Sequence, residues 1–255
     1  MMLCIDAGNT RIKAGAWTGN AWAWRTAIEP AALTAWFGAL PTPTRICACN
    51  VAGAAIAGQI DALAAARKVP LAWLAASTTA CGVQNAYRQP DTLGADRWAA
   101  LIAARGMQMA SNGDAGVGAT RNRALLVVMA GTATTVDALA GNGRFLGGFI
   151  LPGLALMRSS LAHGTAQLPL AQAGAQSAHD ANWATSTGMA IVGGSIEATL
   201  GAIERAQRRL GGDAVCVLSG GAADELAPHL VGGPGAVVRA PDLVLDGLRR
   251  WGAQA

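Results

Sequence analysis

The chain has 255 residues, enough for one large domain or two modest ones, each with a sizeable core. Its 52% hydrophobic content comes largely from alanine, and no uncharged apolar run reaches the roughly 18 residues that span a bilayer, so the sequence reads as a soluble protein. The net charge is +4, yet only 13% of residues are charged and no Lys/Arg run exceeds two, which favours a solvated basic surface over a nucleic-acid footprint.

The opening residues, Met1 to Asp6, hold no basic region and reach an acid at once, so no signal peptide is expected. Leu3 to Asp6 reads as a buried strand and Arg11 to Trp17 as a second after a turn at Gly8-Asn9; Trp22-Ala-Trp24 begins a third. Pro30 to Leu40 and Gly53 to Lys68 read as helices, the latter with Ile56, Ile60 and Leu63 on one face. Arg45 to Asn50 and Leu71 to Leu74 are strand candidates, and Gly94 to Met109 is helical. Ser111 to Asn122 is a polar, glycine-rich break and the best domain boundary or mobile loop.

After it the pattern restarts. Strands are expected at Leu125 to Val128, Thr132 to Ala138 and Arg144 to Ile150. Helices follow at Leu154 to Ala162, Ser186 to Leu210 and Gly221 to Leu230, with a strand from Ala214 to Leu218. Pro241 to Trp251 closes as an amphipathic helix with proline in its first turn. Cys4, Cys47, Cys49, Cys81 and Cys216 are odd in number and lack zinc spacing, so they read as small buried residues in a reducing cytoplasm. His163, His179 and His229 are scattered and suggest no metal site.

Two stretches echo each other: Cys4-Ile-Asp-Ala-Gly-Asn-Thr-Arg-Ile-Lys13 and Val127-Val-Met-Ala-Gly-Thr-Ala-Thr-Thr-Val-Asp137. Ala7 and Ala130 stand 123 residues apart, about half the chain, and each turn opens a strand-turn-strand-strand-helix series. A duplicated α/β domain is the simplest account. Turns of Gly, Asn and Thr after a strand can aim backbone N–H groups and hydroxyls at phosphate oxygens. Two of them could clasp a nucleotide, with Asp6 placed to hold Mg2+ through water. Neither a Walker loop nor a Rossmann glycine fingerprint is present, and either turn alone could be an ordinary hairpin.

Taken in order, the segments resemble type III pantothenate kinase over nearly the whole chain. The resemblance runs through Asp6-Ala-Gly-Asn-Thr10, Asn85-x-Tyr87, Leu93-Gly-x-Asp-Arg97, Gly131-Thr-Ala-x-Thr135 with Asp137, and Gly147-Gly-x-Ile-x-Pro-Gly153. It continues through Leu161-x-x-x-Thr-Ala-Gln-Leu-Pro169, Thr185-Ser-Thr187 leading to Gly194, Ser219-Gly-Gly221 and Pro241-Asp-Leu-Val-Leu-Asp-Gly247. That family lies in the superfamily of acetate and sugar kinases, heat-shock ATPases and actin. The resemblance therefore implies an α/β fold of two ribonuclease-H-like (actin-like ATPase) domains, expected at 1–117 and 118–255, with the last helix able to pack back on the first.

It also implies an enzyme that moves the γ-phosphoryl group of ATP to the primary hydroxyl of pantothenate, the first step towards coenzyme A, as a homodimer in the cytoplasm. Asp96 matches the family's base; the helix dipole favours a carboxylate there, and a weak base suits late proton transfer in a loose transition state. Asn9, Tyr87, Gly94, Arg97 and Thr187 match the pantothenate side. Asp6, Gly8, Asn9, Thr10 and Lys13 match the first phosphate turn, and Gly131, Thr132 and Thr134 the second. Gly220 and Gly221 match the element beside adenosine. The implied cofactors are ATP and Mg2+.

The monovalent cation (K+ or NH4+) is where the sequence departs from its relatives. They commonly carry an acid where Met129 stands, and a thioether does not coordinate a hard cation. Asp137, eight residues on, is not an obvious replacement. Altered or absent cation dependence is expected, and with it weak ATP affinity. The alternatives are a transcription accessory factor of the same family, or a superfamily kinase with another small hydroxyl or carboxylate acceptor.

Overall fold

The computed structural model describes residues 1–110, 120–171, 183–230 and 236–254. Most of the glycine-rich break at 111–122, and His179, lie outside them. Chain contacts divide the protein into two units: Met1–Val117 with Gly141–Leu146 and Asp242–Ala255, and Gly118–Ala140 with Gly147–Pro241.

The first unit opens with an antiparallel meander of β1 (Met2–Ala7), β2 (Ile12–Trp17) and β3 (Trp22–Ile28). The helix expected from Pro30 starts instead as a 3-10 turn, Pro30–Ala32, and becomes α1 only over Leu33–Ala39. There follow β4 (Arg45–Asn50), α2 (Ala54–Ala66) and β5 (Leu71–Trp73), giving the sheet order β3-β2-β1-β4-β5 with β4 parallel to β1. Alternate residues on a strand face opposite ways. Leu3, Ile5 and Ala7 of β1 thus join Phe37 of α1 and Ile60 of α2 in one core, while Cys4 and Asp6 face the other side.

A hairpin of β6 (Thr79–Ala80) and β7 (Val83–Asn85) comes next, turning through Cys81 and Gly82 at φ 49° and 80°. Such a two-residue turn with both φ positive fits the twist of short hairpins. The 3-10 turn Pro90–Thr92 leads into α3 (Ala95–Met109).

The second unit contains β8 (Leu125–Ala130), β9 (Ala133–Leu139) and β10 (Arg144–Pro152), whose first residues pair with β7 inside the first unit. It continues with α4 (Leu154–Gly164), α5 (Thr187–Leu210), β11 (Val215–Ser219), α6 (Ala223–Leu226) and β12 (Val237–Arg239). The single helix expected over Gly221 to Leu230 is divided: α6 passes into a 3-10 turn, Ala227–Leu230, where Pro228 cannot donate the next helical hydrogen bond. The strand order is β6-β7-β10-β9-β8-β11-β12, with β11 parallel to β8; the five strands from β10 to β12 repeat the order of the first sheet, and β7 and β6 extend it. In each unit, then, the first strand of the series lies between an antiparallel second and a parallel fourth. The two sheets are one topology used twice. Arg158 of α4 is buried at 4% exposure; it donates to Ser195 Oγ (3.0 Å) and pairs with Glu225, joining α4, α5 and α6.

The closing helix α7 (Leu243–Gly252) belongs to the first unit. Pro241 stays outside it, and Asp242 is the N-cap residue. The helix lies against α3 and against the β1–β4 face that carries Cys4, and its seat is well fastened. Asp242 pairs with Arg25 (2.7 Å), and Asp246 accepts from Trp22 Nε1 (3.1 Å). Arg249 covers the Trp17 ring at 4.4 Å, and Arg45 donates to the Gly252 carbonyl.

Candidate active site

The first unit gathers one group of predicted site residues at the ends of β1, β2, β4 and α3. In the β1–β2 hairpin Asp6 stands opposite Lys13, and Gly8, Asn9 and Thr10 form the turn. Asn9 and Thr10 are exposed; at Gly8 a side chain would stand 3.0 Å from the Arg11 carbonyl, so this tight loop has little room for one. In parallel register, Asp6 also stands beside Cys49, whose thiol donates to Asp6 Oδ1 at 3.5 Å. Burial pushes the Asp6 carboxyl up to about 6, and the neighbouring Asp96 carboxylate adds to the shift; Lys13 and the Cys49 thiol pull the other way. Sequence reasoning missed Cys49, because only strand pairing brings it to Asp6.

Asp96 occupies the first turn of α3. Its Oδ1 accepts from the Arg97 backbone N–H (2.8 Å), and a side chain on the N-cap residue Gly94 would come within 2.7 Å of that oxygen. Gly94 thus leaves space for the carboxylate to fold over the helix end. Arg97 is buried to 7% exposure, with its guanidinium carbon 5.8 Å from the Tyr87 ring. Tyr87 leans on Phe145 at 5.3 Å between centroids. Asn85 braces this loop: it accepts from Tyr87 N (3.0 Å) and donates to the Ser77 and Pro90 carbonyls (both 3.2 Å). The Asn85-x-Tyr87 motif therefore combines a brace and a ring, and Phe145 behind the ring carried no sequence signal.

In the second unit, Gly131 and Thr132 form the exposed turn between β8 and β9. The Gly153 N–H donates to the Thr132 carbonyl (3.0 Å), and a side chain on Gly153 would strike the Gly131 carbonyl. Gly220, at φ 98°, presses on the Ala130 backbone, and Ala222 N donates to Ala130 O (3.0 Å). These three glycine segments meet at the end of β8. Thr134 does not lie on the rim of the turn: it is fully buried, and its Oγ1 has no hydrogen-bond partner among the described residues. Thr187 is the exposed first residue of α5, after Ser186, whose hydroxyl accepts from Met189 N (3.3 Å). His163 is exposed on α4, its Nδ1 at 2.7 Å from the Ser159 carbonyl.

Met129 pairs with Thr135 on one side and Ser219 on the other. Asp137 pairs with Val127, so it lies diagonal to Met129 on the same sheet face. Diagonal neighbours are about 7–8 Å apart. Eight residues of sequence separation have become one diagonal step across a hairpin.

Paired glycine-rich turns at the ends of equivalent strands, each in its own copy of the same sheet, fit the ribonuclease-H-like, actin-like ATPase fold. Solved structures agree on this fold. A putative Baf family transcriptional activator from Campylobacter jejuni matches with TM-score 0.65 and 19% identity, covering 99% of this chain and 98% of its own. A putative 2-dehydro-3-deoxygalactonokinase from Sinorhizobium meliloti matches with TM-score 0.56 and 15% identity, covering 100% of this chain and 99% of its own. The family model for type III pantothenate kinase matches residues 2–209. Type III pantothenate kinases of Aromatoleum aromaticum and Dechloromonas aromatica are 48% and 42% identical to the chain, covering 97% and 98% of it and 96% and 98% of themselves. The chain belongs to the type III pantothenate kinase family.

Asp6 gives the site a pH signature. Its folded-state value of about 6 exceeds the roughly 3.9 of an unfolded aspartate, so the folded state is penalised as pH rises from about 4 through about 6. Without nucleotide or Mg2+, Asp6→Asn should be more stable than the wild type at about pH 8, by about 3 kcal/mol, and melt at a higher temperature. Thermal melts across pH check this: the gap should close near pH 4.

Proposed function

We propose that Asp96 is the base with which this type III pantothenate kinase takes the proton of the pantothenate primary hydroxyl as the γ-phosphoryl group of ATP is transferred. The observation that carries the assignment is the carboxylate folded over the start of α3, close enough to Asp6 to disfavour the ionisation of that second acid. Phosphoryl transfer needs positioning and charge neutralisation more than covalent help. Arg97, held under Tyr87, offers a fixed cation to the acceptor, and Asn9 faces the reacting groups; Gly94 and Thr187 complete the acceptor side. Gly8, Asn9 and Thr10 with Lys13, and Gly131 with Thr132, receive the phosphates, with Thr134 supporting the second turn from beneath. Gly220 and Gly221 lie along the adenosine.

A partly buried pair of carboxylates fits a divalent cation, because the cation offsets the cost of ionising both. Asp6 is the residue to hold it, through water, and Mg2+ there would neutralise phosphate charge. Replacing Asp96 by Asn should lower kcat by about a hundredfold or more while the affinity for Mg-ATP stays near wild type. Phosphopantothenate formation and nucleotide titration read the two quantities; near-normal turnover would refute the assignment.

Met129 removes a hard ligand from the second turn. We infer turnover that does not depend on K+ or NH4+, with weak ATP affinity as its companion. Rates in potassium, ammonium and a bulky organic cation should coincide, and Met129→Asp should introduce a difference between them.

The enzyme is read as a cytoplasmic homodimer. All five cysteines are free, and no helix among the described residues is long and apolar enough to cross a membrane. In the second unit Ile150 of β10 and Leu156 and Leu161 of α4 are exposed by 39–64%, apolar surface that a second copy would cover. Light scattering should give twice the chain mass, and Ile150→Glu should halve it.

A further inference from the structure

The acid-bearing helix α3 is set in place by α7, and the two meet backbone to backbone. A side chain built on Gly247 would run into the Ala99 carbonyl and carbonyl carbon. Ala99 is three residues beyond Asp96, about 4.5 Å along the helix axis. Gly247 has no positive φ and sits inside a helix, where alanine is favoured by about 1 kcal/mol. What this position requires is therefore the missing methyl group, not glycine's conformational range.

Neither helix has an easy way to yield. Asp246, the residue before Gly247, accepts from Trp22, Asp242 is paired with Arg25, and Leu243 and Leu248 on either side are buried to 2% exposure or less. On α3, Trp98, Ala99, Ala100, Leu101 and Ile102 are buried to 1% or less. The helices also approach at Gly106, near the other end of α3, but the atom met there is the guanidinium carbon of Arg250, the far end of a flexible side chain. Of these two glycine contacts, the one at Ala99 is rigid on both sides, and it lies one turn from Asp96.

We propose that Gly247 is a positioning residue for phosphoryl transfer: its bare α-carbon fixes how far the first turn of α3, and with it Asp96, extends towards the reacting groups. This rests on the reading of Asp96 as the base. An added methyl group asks the Ala99 carbonyl to retreat by about 1.5 Å to regain an ordinary carbon–oxygen contact. A displacement of that size at a reacting group costs about a hundredfold in rate.

The test is steady-state kinetics of Gly247→Ala and Gly106→Ala beside Asp96→Asn, with melting temperatures for each. Gly247→Ala should lose about 10–100-fold in kcat with the KM for Mg-ATP unchanged, whereas Gly106→Ala should lower the melting temperature and leave kcat alone. Adding Asp96→Glu to Gly247→Ala should recover part of the loss, because the longer acid spans the gap; in the wild-type background the same change should only reduce kcat. Wild-type kcat in folded Gly247→Ala, or an equal loss in Gly106→Ala, overturns the proposal while an inactive Asp96→Asn leaves the base standing. A fully active Asp96→Asn overturns the base reading itself. If Gly247→Ala does not fold, Leu248→Ala thins the same seat without adding an atom and should show the same loss of kcat at constant KM; wild-type kcat there also overturns the proposal.

Discussion

Asp6 and Asp96 are two carboxylates that a folded protein would ordinarily keep apart. Asp6 comes from the end of a central strand and Asp96 from the first turn of a helix on the face that strand presents. Burial and mutual repulsion hold the Asp6 carboxyl near 6, against the pull of Lys13 and the Cys49 thiol. The rest of the first unit can be understood as the means of sustaining that proximity. The β1–β4 pairing brings the thiol, the hairpin brings the ammonium, and the α3–α7 contact keeps the helix from drifting away. A pair of acids under this tension has much to gain from a cation, which offsets the cost of ionising both.

Duplication explains why two turns look alike, and the departures from it show which features each copy must keep. Both copies retain the strand order and a glycine at the strand end. The first keeps acid and base facing one another across its hairpin, Asp6 opposite Lys13. In the second, Met129 faces Thr135, and the nearest acid on that sheet face has moved one step diagonally to Asp137. Charge is thus concentrated in one copy, while the other contributes mainly backbone donors and close glycine packing.

Much of this was legible in the sequence. The strands around Asp6 and Met129 announce themselves as short, largely apolar runs closed by Ala-Gly, and the α3 start follows from Gly94 and the acid after it. What stayed hidden had definite physical causes. Strands β6 and β7 have two and three residues, too few for a period, and only the positive φ values at Cys81 and Gly82 make them a hairpin. The nearness of Asp137 to Met129 was hidden because sequence distance is a poor guide inside a hairpin. Cys49 and Phe145 act through neighbours that only strand pairing supplies, and Thr134, placed on the turn by its motif, is turned inward by strand alternation.

The partition of the chain has a consequence for how the protein is made. The first unit is assembled from three separate stretches, the last of them residues 242–255. During synthesis, the sheet face bearing Cys4, Cys47 and Asp6 has no α7 to cover it until the whole second unit has been translated. At roughly 5–20 residues per second, the 124 residues from 118 to 241 take several seconds or more to emerge. Over that interval a sulfur-rich apolar surface waits for its cover, and the nascent chain is most exposed to aggregation and to chaperone capture while its second half is still being built.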